Sequence, residues 1–358
     1  MVSRISTRSI MGNYNRNLNK AIMNLDSSRN KVLTNRQFNY AAEDLSGASK
    51  SFRLWREYSR TTQQLENVEN TQSLFDNVSD GALQVSSILS EQVTEDMLRS
   101  INGATSPETR KTYAKTLRGM QESIVLAMNN KYGDRYLYGG EKIDEAPFKL
   151  EDDGRLTFRG VDVNPPRQIK NPNFDANNPV DPNTNPEMID NPDYQPTIDK
   201  LKEMAGEQMF VDFGFGIETN GVNNSSAFDT AVSGLNVLGY GSDENGMTNN
   251  IVVLLGQMAD ALETNQMDKF DPMTDKFVES KNKTADFVAE LGTKSEFLET
   301  AKGKLTSSQD SLNRQIIGVQ DVDMPAAISS YVYQQYAYNA ALKVGQSVLS
   351  QSFIDFMR

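Results

Sequence analysis

Residues 325–357 read PAAISSYVYQQYAYNAALKVGQSVLSQSFIDFM, a run of thirty-three in which Lys343 and Asp355 are the only charges. Ile328, Val332, Gln335, Tyr338, Leu342, Gly345, Leu349 and Phe356 recur mostly at three- and four-residue steps, so the stretch is expected to be helical. It is not a membrane span, because Gln334, Gln335, Asn339, Gln346, Ser347, Ser350 and Gln351 interrupt every apolar run long before ~20 residues accumulate. Four tyrosines, Tyr331, Tyr333, Tyr336 and Tyr338, point in several directions around such a helix. A helix with one solvated face normally carries charge on it, and a helix uncharged all round needs cover. The expected cover is other protein chains, which points to assembly rather than chemistry.

Composition narrows the classes further. The 358 residues include no cysteine and no histidine, so a disulfide, a Cys or His nucleophile or base, and the usual zinc ligands are all excluded. No catalytic constellation is visible, and neither an enzyme nor a cofactor is expected. No apolar segment of a cleaved secretory signal stands near Arg4, Arg8 and Arg16. Charge is uneven: residues 139–280 hold 10 Lys/Arg against 26 Asp/Glu, whereas the first forty hold seven Lys/Arg and only Asp26 as an acid. The acidic middle reads as soluble and exposed, and the basic termini as having a different task. Those basic residues are scattered among Asn and Ser without an aromatic platform, so no nucleic-acid partner is expected.

Working back from the C-terminus, Val288, Leu291, Ser295, Leu298, Lys302, Leu305, Gln309, Leu312, Ile316 and Val319 keep strict three-four steps. A matching seam runs through Leu54, Tyr58, Thr61, Leu65, Val68, Gln72, Phe75, Val78, Ala82, Val85 and Leu89. One continuous helix from Leu54 to Ile101 would be roughly 70 Å long. Ser106-Pro107-Glu108-Thr109 reads as an N-cap with proline at the first helical position, opening another helix through Tyr113, Leu117, Met120, Ile124 and Ala127. At the N-terminus a helix is expected over Ser9–Thr34, with Ile10, Tyr14, Leu18, Ile22, Leu25 and Val32 on one stripe, and a break over Asn39–Ser49. Nine of the twelve prolines fall between Pro147 and Pro196, which excludes long helices there. Asp153-Gly154 between Phe148–Leu150 and Leu156–Phe158 predicts a hairpin; Met209–Ile217 predicts a strand, and Ile251–Leu262 a short helix.

The fold class is therefore mainly α: N- and C-terminal helices pair in a long coiled-coil-like bundle, and an irregular β-containing (α+β) domain is inserted between them. The expected divisions are 1–50 (N-terminal assembly segment, disordered in the monomer), 51–138 (first half of the rod), 139–280 (inserted acidic domain), 281–325 (second half of the rod) and 326–358 (C-terminal assembly helix).

Arg4-Ile5-Ser6-Thr7, the run Ala41-Ala42-Glu43-Asp44-Leu45-Ser46-Gly47-Ala48-Ser49, and Asp321–Ser329 with the uncharged helix behind it resemble the termini of bacterial flagellins and their relatives. Tyr136-Leu137-Tyr138-Gly139-Gly140-Glu141-Lys142, leading to Ala146-Pro147-Phe148, and the ending Ser352–Met357 resemble the hook–filament junction subunit, flagellar hook-associated protein 3. The resemblance covers about 1–150 and 280–358, while the middle matches no known domain; Val2 and Ser3 precede the usual start, and Glu43-Asp44 replaces the usual acidic pair. It implies a secreted structural subunit, exported unfolded without a cleaved signal, that assembles outside the cell on the flagellum. The partners it implies are other copies of the chain, a neighbouring hook-associated protein on the hook side, flagellin on the filament side, and an export chaperone at the C-terminal helix; no membrane partner is implied. The expected inter-subunit contacts are Ile10, Leu18, Ile22, Tyr338, Leu342, Leu349, Phe353 and Phe356. Alternative readings are a filament flagellin, a secreted helical-bundle translocator or adhesin, and an Asp/Glu hydrolase, which would need a convergent carboxylate pocket in the middle domain. Asp181–Pro186 mimics a calcium-loop opening, but Pro186 occupies its glycine position and a solvated loop is expected. Asn223 and Asn282 stand in glycosylation-like triplets that arise readily by chance, and Arg118–Glu122 has the spacing of a surface ion pair.

Overall fold

The structure, a computed structural model, describes residues 7–100, 106–151, 153–171, 188–218, 221–223 and 227–356. The chain is mainly helical, with small antiparallel sheets in its middle. It begins with α1 (Thr7–Thr34) and α2 (Leu45–Ser87), then a π-helical turn (Ile88–Val93), α3 (Thr94–Ser100) and α4 (Pro107–Met128). Next comes the hairpin of β1 (Lys131–Tyr132) and β2 (Arg135–Tyr136), followed by the three-stranded sheet of β3 (Phe148–Leu150), β4 (Leu156–Phe158) and β5 (Val161–Asp162). After these, β6 (Gln168–Lys170) pairs with β7 (Met188–Asp190), and α5 (Tyr194–Ala205) follows. The remaining strands are β8 (Phe210–Val211), β9 (Ile217–Glu218), β10 (Gly221–Val222) and β11 (Phe228–Asp229), with β8 on β11 and β9 on β10. The chain then forms α6 (Gly234–Leu238), α7 (Ile251–Glu263), α8 (Met267–Gln320) and α9 (Met324–Phe356).

These elements form two compact units, Gln64–Gly303 and the pair of chain ends Met1–Gln63 with Lys304–Arg358. The larger unit has a dense core. Ala114, Leu117, Met120, Ile124 and Met128 of α4 are buried, as are Ile251, Leu254, Leu255, Met258 and Leu262 of α7, and the two helices pack together. Gln121 is buried with them and satisfies its amide by donating to the Val252 carbonyl at 3.0 Å. Ser106 caps α4 by accepting from the Thr109 N–H at 3.2 Å, with Pro107 in the first turn as expected. A second nucleus is aromatic: Phe228 of β11 stacks on Phe297 of α8 and meets Phe75 of α2 edge-on, with ring centres 5.3 and 5.5 Å apart.

The passage from α4 into the sheet is fixed by Tyr138. Its ring is wholly buried and its hydroxyl donates to the Val78 carbonyl at 2.6 Å; burial pushes the phenol pKa up. Gly81 lies against that hydroxyl, where a side chain would not fit. Nearby, Arg159 is bound by both carboxylate oxygens of Glu207 at 2.7 Å, with both side chains largely withdrawn from water. Glu207 also accepts the Glu141 N–H. One buried ion pair thus ties β4 and the chain after β2 to the end of α5.

Most local expectations hold. The predicted hairpin forms in register, Phe148 opposite Phe158 and Leu150 opposite Leu156, with Gly154 at φ 84°. Others are corrected. Leu45 already opens α2, so half of the predicted break is helix, started by the Asp44 carboxylate accepting the Gly47 N–H. The predicted single helix from Leu54 loses its α-helical register at Ile88, where the Thr94 hydroxyl donates to the Leu89 carbonyl. The predicted strand over Met209–Ile217 is broken into Phe210–Val211 and the start of β9 at Ile217, because Gly214 and Gly216 take positive φ. Arg118 does not pair with Glu122; it reaches across to Asp260 and Glu263 on α7. The calcium-like run at 181–186 lies outside the described residues.

Candidate assembly surface

The unit built from the chain ends is thinly packed. Among the described residues its buried apolar side chains are Ala48, Leu54, Leu312, Ile316 and Ala327. Leu54 and Tyr58 of α2 pack on Leu312, Ile316 and Val319 of α8, and Gln309 donates to the Thr62 hydroxyl at 2.9 Å. The two helices therefore run antiparallel here, with their predicted seams facing each other.

The pairing of α1 with α9 is narrower. In α1 the half-buried positions Met11, Tyr14, Leu18, Ala21, Leu25, Ser28 and Val32 recur at alternating three- and four-residue steps, with Lys31 half-buried beside the last. In α9 the matching line is Ala327, Tyr331, Gln334, Tyr338, Ala341 and Gly345. Both are heptad seams, and the two helices lie together along them. Small residues on α9 receive large ones from α1: Tyr14 reaches the bare Cα of Gly345, where a Cβ would collide with its ring.

That choice of seam leaves a second set of apolar side chains outside. Ile328, Val332, Tyr333, Tyr336, Leu342 and Val344 are exposed on α9, and Ile22, Met23 and Leu33 on α1. At 100° per residue, Ile328, Val332, Tyr336, Tyr333 and Val344 lie at least 100° from the centre of the seam, so they cover the outer half of α9. Around the connector a second patch gathers. Phe52 and Trp55 are exposed and line a groove of about 290 Å³ with Phe38, Ala48 and Ser51, and Tyr40 and Leu45 are exposed in the same stretch of chain. Scattered exposed apolar residues are ordinary, but a contiguous apolar surface marks an interface.

The predicted contact residues divide accordingly. Ile22 and Leu342 are exposed, whereas Leu18 and Tyr338 are half-buried on the line between α1 and α9. Ile10, Leu349, Phe353 and Phe356 lie within the two helices by backbone, and their side chains lie outside the described residues. Periodicity alone does not single out Trp55, the sole tryptophan, because Leu54 and Tyr58 carry the seam and Trp55 stands off it. No helix among the described residues is long and apolar enough to cross a membrane, and no group of three or more acidic side chains among them could hold a metal ion.

No family model matches the chain. The B-type flagellin of Pseudomonas aeruginosa is 26% identical over 148 residues, which is 41% of this chain and 29% of that flagellin. The match therefore spans less than a third of the curated relative's length. Among solved structures, a provisionally assigned flagellar hook-associated protein of Vibrio parahaemolyticus superposes with a TM-score of 0.55 at 15% identity, over 77% of this chain and 99% of that one. A FlgL of Bacillus cereus gives 0.48 at 14% identity over 74% and 99%. The fold is thus that of the Vibrio hook-associated protein, in line with the resemblance carried by the termini.

Proposed function

We propose that this chain is a structural, non-enzymatic subunit of the bacterial flagellum that joins hook to filament and assembles through its terminal helices. The observation that carries the reading is the α1–α9 pair, which closes along Ala327, Tyr331, Tyr338 and Gly345 and leaves Ile328, Val332, Tyr336 and Leu342 exposed. An outer face of this kind, on which Lys343 is a lone charge, is completed by neighbouring subunits. The expected contacts remain Ile10, Leu18, Ile22, Tyr338, Leu342, Leu349, Phe353 and Phe356, with Leu18 and Tyr338 also serving the pair itself. Partners are further copies, a hook-associated protein on the hook side, flagellin on the filament side, and an export chaperone at α9. The chain acts outside the cell, and the divisions 1–50, 51–138, 139–280, 281–325 and 326–358 serve as assembly segment, rod, exposed domain, rod and assembly helix.

Immunogold labelling of intact flagella with antibody against residues 139–280 tests this. One cluster between hook and filament is expected. Label along the filament would make the chain a flagellin, the reading that the Pseudomonas match favours. No flagellar label would overturn both.

A further inference from the structure

A cavity of about 590 Å³ lies within the 64–303 unit, between α2, the β1–β2 hairpin, β8 and the stretch leading into α6. Sites for small molecules run from about 300 to 1,000 Å³. Leu74, Leu137, Ile143 and Val232 give it apolar surface, and Tyr132 and Tyr136 of the hairpin add aromatic rings. The ammonium of Lys131 sits 4.3 Å from the centre of the Tyr136 ring, so one face of that ring is taken. Tyr132, 43% exposed, is the ring left open.

The α2 wall is polar in an unusual way. On this helix Thr62, Ser73 and Asn77 each donate to the backbone carbonyl one turn earlier, the ordinary use of such side chains. Thr71 does not. It is only 7% exposed and lines the cavity, and its hydroxyl has no hydrogen-bond partner among the described residues. It therefore keeps both its donor and its acceptor capacity for what enters. Asn70 beside it is exposed with its amide unpaired, and Asn67 donates to the Asp212 carbonyl at 3.1 Å, which fixes that amide and leaves its oxygen to accept. On the hairpin side, Asp134 and Arg135 are exposed and neither is in an ion pair among the described residues.

This lining narrows the ligand. One carboxylate and one guanidinium balance, so neither an anion nor a cation is selected. A purely apolar ligand would leave Thr71 and Asn70 unpaired, which costs free energy. What the cavity offers is a row of groups that donate and accept, set beside apolar and aromatic surface. A sugar ring matches both halves: its hydroxyls donate and accept in turn, and its C–H face packs on an aromatic ring. We propose that this cavity is a binding site for a neutral saccharide ring, which packs on Tyr132 and hydrogen-bonds to Asn70, Thr71 and Arg135. The site lies wholly within the 64–303 unit and is independent of the assembly reading above.

Saturation-transfer NMR on the purified full-length chain tests this, with the methyl glycosides of glucose, galactose, mannose and N-acetylglucosamine as probes at millimolar concentration. Saturable binding of at least one is expected. Thr71→Val, Asn70→Leu and Tyr132→Ala should each weaken it about tenfold, the loss of one hydrogen bond or one packing surface. Thr71→Val gives up no bond within the chain, and Asn70 and Tyr132 are exposed, so all three variants should melt like the wild type. Should the buried Thr71→Val variant melt early, the two exposed variants decide. Failure of every glycoside to bind, or binding that survives the substitutions, would overturn the site. Tighter binding of gluconate or glucosamine than of the neutral glycosides would overturn the ligand class.

Discussion

Glycine in the middle of a helix is ordinarily a defect, and replacing it with alanine stabilises by about 0.8–1 kcal/mol. Gly81 of α2 should behave in the opposite way. A Cβ there would lie 2.5 Å from the Tyr138 hydroxyl oxygen and 3.3 Å from its Cζ. Tyr138 has little room to withdraw: it is wholly buried, and its hydroxyl is held on the Val78 carbonyl at 2.6 Å. Overpacking of this kind costs about 1–3 kcal/mol, so Gly81→Ala should destabilise by roughly 1 kcal/mol after the helix gain of about 0.8–1 kcal/mol is subtracted. Tyr138→Phe alone forfeits a buried hydrogen bond, at about 1–1.5 kcal/mol. In the double variant the offending oxygen is gone and the nearest atom is Cζ, so the second change should cost little or even stabilise. The expected signature is a coupling of about 1–2 kcal/mol between the two sites, read from urea unfolding of the four proteins by far-UV circular dichroism. Additive effects, or a Gly81→Ala protein more stable than the wild type, would refute the claim that this glycine exists to seat Tyr138.

Gly345→Ala should loosen the α1–α9 pair by displacing Tyr14, seen as faster proteolysis of the chain ends with the 64–303 unit unaffected. Arg159→Ala leaves Glu207 buried without its partner and should cost about 3 kcal/mol in thermal or urea unfolding. Asp243 is partly buried, which alone would raise its pKa, but the Met247 N–H and Lys276 outweigh that and hold it below the ordinary carboxylate range. Its contribution is therefore complete above the unfolded carboxylate pKa of about 4 and is lost as pH falls through the lower folded value; Asp243→Asn should flatten the fall in melting temperature between roughly pH 5 and 3. Trp55→Ala, at an exposed site, should leave melting unchanged but reduce incorporation into flagella, and a matching melting loss would show that Trp55 serves the fold instead.

Long seams were legible because burial imposes a period on them. Leu54, Thr61, Val68, Phe75, Val78, Ala82, Val85 and Leu89 are buried as their spacing requires, and Leu291, Leu298, Leu312 and Ile316 likewise. Where polar residues share the seam the reading slips by one place: Leu65 and Gln72 were expected inward, yet Gln64 and Thr71 are the buried ones. In α9 the slip has more consequence. Two lines have helical spacing, one through Ile328, Val332 and Leu342, the other through Ala327, Tyr331, Gln334, Tyr338, Ala341 and Gly345. Hydrophobicity favours the first line, while close approach of α1 requires the second. A single helix gives no means of choosing, because the deciding fact is the size of Tyr14 and Leu18 on another element. The strand over Met209–Ile217 failed for a related reason, since the glycines between the phenylalanines turn the backbone before a ladder can form.

The same choice of seam explains why the two units differ so much in packing. The α1–α9 seam buries Ala327 and Gly345 but leaves Tyr331 and Tyr338 only half-buried, so it removes limited apolar surface from water, and burial contributes in proportion to that surface. Had α1 and α9 closed on Ile328, Val332 and Leu342, the chain ends would have been more stable alone and would have offered neighbours a face of Gln334, Ala341 and Gly345. As built, Ile328, Val332, Tyr333 and Tyr336 of α9 stay outside the pair. The 64–303 unit, by contrast, already has Phe75, Tyr138, Phe228 and Leu255 buried.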